Sequence, residues 1–175
     1  MKQKGLTLIE MVAIIVILGL TIPVLLTMWA DVAWRSARSE QLADATFYAQ
    51  QLMEEVRSKR FDDKSGQPWT NSASFGVDTG ESSSNSAGFD DIDDFIGSTD
   101  TNITTPTPGF TRSVTMDYVR IPANNTWTSC GATVCSTTFN CTLCAACCYK
   151  RIQVSVASNI PNAGNATLVT IMSSY

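Results

Sequence analysis

The chain has 175 residues, six cysteines, no histidine and a formal net charge of −4. That length holds one domain plus one extended element rather than two independent cores. Without histidine there is no imidazole for metal ligation or general-base catalysis, and the acidic balance offers no basic surface for nucleic acid at the level of net charge. No Gly-rich phosphate loop and no nucleophile arrangement is present either, so neither an enzyme activity nor a cofactor is expected.

In chain order, Met1–Gly5 carries Lys2 and Lys4, and Met11–Ala30 is a run of 20 uncharged residues. Such a run can cross a bilayer as a helix. In a secretory signal peptide the small-residue cleavage site follows the apolar stretch. Here the small residue, Gly5, precedes it, and Leu26-Thr27-Met28-Trp29 offers no such site. An uncleaved anchor with its lysines held inside accounts for the basic start and the apolar run, but not for Glu10. A carboxylate near one end of a membrane span costs ~1–3 kcal/mol, and it calls for a partner.

Gly5-Leu6-Thr7-Leu8-Ile9-Glu10 resembles the motif of the type IV prepilin and pseudopilin family. The resemblance implies that a membrane prepilin peptidase cuts between Gly5 and Leu6. Leu6, followed by Thr7, then becomes an N-methylated first residue. Losing Lys2 and Lys4 takes the net charge from −4 to −6. The resemblance also implies that Glu10 meets the N-terminal amine of a neighbouring subunit inside a filament. An ion pair in a dry interior is costly to leave half-made, so such a contact selects the register of docking. Leu6 stands where Phe is commoner in the family, and it keeps the bulk and the apolar character.

Gly19 and Pro23 lie inside the apolar helix; a membrane helix tolerates the lost donor, and in the family such positions mark a stretch that can melt on assembly. After Asp31 the pattern turns amphipathic. Leu42, Ala45, Ala49, Leu52 and Val56 share one face. The expected segments are a leader at 1–5, a membrane and filament-core helix at 6–30, an amphipathic helix at 31–60 and an exported β domain at 61–175.

From Phe61 to Pro108 the composition shifts to Ser, Thr, Asn, Gly and Asp, and the aperiodic 65–87 stretch reads as a long surface loop. Strand patterns follow at Thr111–Ile121 (Val114, Met116, Tyr118), Tyr149–Ser158 (Ile152, Val154, Val156 on one side; Arg151, Gln153, Ser155 on the other) and Ala166–Met172. The expected class is α+β: a long N-terminal helix whose second half packs on a small antiparallel meander. The pilin resemblance implies the same layout. Two further stretches, Gln51–Asp63 and Phe89–Gly97, are similar to those of minor pilins of the mannose-sensitive haemagglutinin (MSHA) pilus system. They imply a low-abundance subunit that helps initiate or cap a pilus.

Asp90, Asp91, Asp93 and Asp94 raise a calcium reading, since hard cations want several carboxylate oxygens, although the ligand order of an EF-hand is missing. The competing reading is a loop in which Phe89, Ile92 and Phe95 pack inward while the Asp residues are solvated or cap a short turn. Cys130, Cys135, Cys141, Cys144, Cys147 and Cys148 all fall in 130–148. A four-thiolate zinc site fits part of this spacing. In an exported domain the even count favours disulfide staples, with no pairing readable.

The function expected from all this is a minor pilin. Its partners are other pilin subunits through the N-terminal helix, the prepilin peptidase, the inner-membrane assembly platform and, before assembly, the membrane. A minor pseudopilin of a type II secretion system shares the same stem. A bulk filament subunit, or a binding module built on the cysteine loop, also fits the residues.

Overall fold

The computed structural model describes residues 7–64, 69–120, 127–130, 149–160 and 164–173. The chain divides into two compact units, Met1–Glu40 and Gln41–Tyr175. A single helix, α1 (Leu8–Arg57), opens the described chain. It starts where the carbonyl of Thr7 accepts the amides of Glu10 (3.1 Å) and Met11 (3.2 Å).

In the first unit the apolar side chains of α1 from Leu8 to Trp34 are exposed. The helix is long and apolar enough to cross a membrane. Its hydroxyls are satisfied locally, Thr21 donating to the Ile17 carbonyl (2.9 Å) and Thr27 to that of Val24 (2.9 Å). This is how a membrane helix hides polar groups from lipid. Pro23 interrupts the bonding ladder without ending the helix. Because Pro lacks an N–H, the carbonyl of Gly19 loses its usual donor there.

In the second unit the remainder of α1 lies on an antiparallel sheet. The sheet comprises β1 (Phe110–Arg120), β2 (Thr128–Ser129), β3 (Tyr149–Ser158) and β4 (Asn165–Ser173), in the order β2-β1-β3-β4. The register runs from Phe110 opposite Ser158 to Val119 opposite Tyr149, and from Tyr149 opposite Ser173 to Ala157 opposite Asn165. The expected meander is thus present, with one short strand added. The helix face is Ala45, Ala49, Leu52, Met53 and Val56. It meets Val114, Ile152, Val154 and Val156 from the sheet. The two alanines let the helix approach closely, and Leu52 and Val56 fill the space beyond them. Leu42, expected on this face, stays 45% exposed. Its Cδ1 instead lies 3.5 Å from where a Cβ on Gly164 would sit, and Gly164 enters β4 at φ +93°. The left-handed backbone favours glycine there, and the Leu42 contact alone would be an ordinary one. The amphipathic helix ends at Arg57, short of the expected residue 60.

The 61–108 stretch carries short ordered turns. It holds short 3-10 turns at Ser72–Ser74, Ser86–Gly88 and Asp93–Phe95, then a single helical turn, α2 (Thr101–Thr104). Phe89, Ile92, Phe95 and Ile103 complete the core between helix and sheet. Arg112 of β1 ties these pieces together. Buried beside the core, it donates to the carbonyls of Ile103 (2.8 Å), Asn102 (2.6 Å) and Tyr48 (3.2 Å).

Candidate functional site

Among the described residues two places carry chemistry: the start of α1 and a buried polar node in the second unit. At the first, Gly5 and Leu6, the expected processing pair, lie outside the described residues. Thr7 is described and exposed, and it serves as the first acceptor of the helix. Glu10 sits in the first turn, exposed, where the free amides of a helix N-terminus favour a negative charge. Among the described residues it makes no ion pair.

The second place is centred on Lys150, which is fully buried. Its ammonium donates to the Phe61 carbonyl (2.6 Å), Asp93 Oδ1 (2.7 Å) and Asp62 Oδ2 (3.2 Å). Three donors thus find three acceptors. The rings of Phe61, Phe75 and Tyr118 surround it at 4.7, 5.1 and 5.7 Å from their centres, adding cation–π attraction in a dry setting. The Tyr118 hydroxyl donates a hydrogen bond to the carbonyl of Thr70 (2.8 Å). The sequence reading missed Lys150. Its parity offered the signal, since it shares a face of β3 with Ile152, Val154 and Val156.

The acidic cluster is arranged by the tight turn at Ile92–Phe95. Asp91 Oδ1 accepts the amides of Asp93 (2.8 Å) and Asp94 (3.3 Å), while Asp94 Oδ2 accepts those of Asp90 and Asp91 (3.0 Å each). These are short-range Asx bonds that hold the turn. The capping reading is therefore the observed one, and Phe89, Ile92 and Phe95 do point inward. Solvation is not: Asp91, Asp93 and Asp94 are buried, and only Asp90 is exposed. Nor do the four carboxylates converge on one point, since Asp93 faces Lys150. Asp90 and Asp94 instead come together with Glu81, and Asp91 comes together with Asp62 and Asp63. Glu81 was not among the expected ligands. It arrives from another loop, which no local pattern announces.

Burial and crowding divide these carboxyls. Burial pushes Asp91 up to about 7, with the charges of Asp93 and Asp94 adding to it. Burial also raises Asp93, more than Lys150 lowers it. Asp62 is pushed up by burial as well, yet the Thr70 amide and Lys150 outweigh this and leave it below its ordinary value. Glu81 rises to about 7 through burial and the nearby Asp94 and Asp90.

Cys130 lies beside Tyr118, buried and disulfide-bonded. Its partner, and the expected Cys135, Cys141, Cys144, Cys147 and Cys148, fall outside the described residues. A comparison with known protein families, with characterised proteins and with solved structures finds nothing that matches this chain.

Proposed function

We propose that the chain is a minor type IV pilin, most like the MSHA-system minor pilin MshD, that takes part in pilus assembly or initiation. The observation that carries this reading is the motif Gly5-Leu6-Thr7-Leu8-Ile9-Glu10 at the head of an exposed apolar helix. A leader cut after Gly5 frees the Leu6 amine, which is then methylated. Before assembly the chain sits in the inner membrane with its β domain outside the cytoplasm. Trp29 and Trp34, both exposed, lie at the end of the uncharged run and just beyond it, and indole rings of this kind favour the membrane–water interface.

Assembly exchanges lipid for the stems of other subunits around the 8–30 part of α1. Lipid and leucine are equally apolar, so close packing and polar contacts decide the association. Glu10 supplies the polar contact by receiving a neighbour's N-terminal amine, and a half-made pair rejects the wrong register. In this reading disulfides staple the cysteine segment between β1 and β3.

The test is Glu10→Ala expressed beside the wild-type system. Membrane insertion and leader cleavage should be unchanged, while the amount recovered in sheared filaments falls at least tenfold. Equal recovery would remove Glu10 from assembly. Recovery with a secretion apparatus rather than with pili would make the chain a pseudopilin.

A further inference from the structure

We propose that the carboxyl groups of Glu81, Asp90 and Asp94 form a binding site for one calcium-sized divalent cation. The inference stands on this cluster alone and does not depend on the pilin reading. One ligand oxygen from each residue lies within 4.8 Å of the others. With Ca–O distances of about 2.3–2.6 Å, oxygens on opposite sides of a calcium ion are roughly 5 Å apart, so the three fit one ion. All three are hard oxygen donors, which suit calcium better than a transition metal.

The independent sign of a ligand is an orphaned atom. Asp94 is 1% exposed. Its Oδ2 is occupied by two backbone amides, whereas its Oδ1 is buried and has no hydrogen-bond partner among the described residues. Oε2 of Glu81 is buried and unpartnered as well. Buried polar atoms are nearly always paired, and each exception asks for an explanation. Two acceptor-only carboxylates that meet without a donor need a proton or a cation between them.

Charge favours the cation. Once Glu81 has lost the proton that it holds up to about pH 7 beside Asp94, three carboxylates, offset by the Arg60 guanidinium that donates to Asp90, leave two negative charges for a divalent ion. Asp78 lies close enough to feel Asp90 and Asp94, and it adds to the negative field. The neighbouring cluster of Asp62, Asp63 and Asp91 gives the contrast. Asp62 is committed to Lys150 and Thr70, Asp91 to two amides, and no orphaned oxygen remains there among the described residues. A bound ion at the first cluster pins the 78–81 loop to the Ile92–Phe95 turn. At present that region is joined to the following segment through the Ser83 carbonyl, which accepts the Thr99 amide at 2.8 Å.

The experiment is calorimetric titration of CaCl2 into the full chain in detergent micelles after removal of metals with EDTA. Wild type should bind one ion per chain, and at least tenfold more tightly than it binds Mg2+ under the same conditions. Glu81→Gln should weaken calcium binding at least tenfold while the far-ultraviolet circular dichroism stays unchanged, since Glu81 is half-buried and the amide keeps an oxygen to accept the Asp78 backbone hydrogen bond. Asp63→Asn, in the other cluster, should bind as wild type. No heat of binding at millimolar calcium in wild type would overturn the proposal, and so would binding that survives Glu81→Gln or is lost in Asp63→Asn.

Discussion

At the scale of single residues, the node around Lys150 shows how a buried charge is made tolerable. Three acceptors and three aromatic rings replace its water. Taking the charge away while leaving Asp62 and Asp93 in place strands two carboxylates. Lys150→Met should therefore destabilise the second unit by about 3–5 kcal/mol, read from urea unfolding. A triple change in which Asp62 and Asp93 also become apolar should recover part of that loss, because the buried charges leave together.

The same node sets a pH profile. Asp91 is raised to about 7, above its unfolded value near ~3.9. Its contribution is thus complete below ~3.9 and is lost as pH rises through the folded value. Asp62 and Asp100 are lowered, Asp100 by the amides of Ser86 and Asn102, so their contribution holds above ~3.9 and is lost as pH falls through the folded values. In EDTA the Tm should be higher at pH 5 than at pH 8, and should fall again below about pH 3.5. Asp91→Asn keeps the oxygen that caps the turn and should flatten the decline toward pH 8. A Tm that rises steadily from pH 5 to pH 8 would show that Asp91 is ionised at little cost.

At the scale of elements, the face of α1 that meets the sheet is built on close approach. Leu52 is fully buried among core side chains. Leu52→Ala should cost about 2–5 kcal/mol, the range for a lost leucine that leaves a cavity. Much of this scale was legible in the sequence. The three-and-four spacing of Ala45, Ala49, Leu52 and Val56 placed the helix face, and the alternation of Ile152, Val154 and Val156 placed β3 to the residue. The parity that found those valines also puts Lys150 and Arg112 inward. The alternation was followed through its apolar members alone, so neither was named. The 89–103 stretch looked like loop because its order comes from Asx caps and from three aromatic or aliphatic side chains three apart, neither of which has the period of a helix or a strand. Glu81 lay beyond local reasoning altogether, since its partners Asp90 and Asp94 belong to a different loop.

At the scale of the whole molecule, one chain joins a stem suited to lipid with a domain whose core is already complete. Leu52, Val56 and the sheet satisfy each other, while the apolar residues from Leu8 to Trp34 are exposed among the described residues. In the proposed function a bilayer, and later other stems, cover them. A membrane-held subunit that later enters a filament meets both demands in turn. The central claim is that this transfer begins with a cut between Gly5 and Leu6. It is tested most directly by mass spectrometry of the N-terminal peptide from chains recovered in assembled material. The account predicts a peptide that begins at Leu6 and carries a methyl group on its amine. A peptide that still begins at Met1 would contradict it.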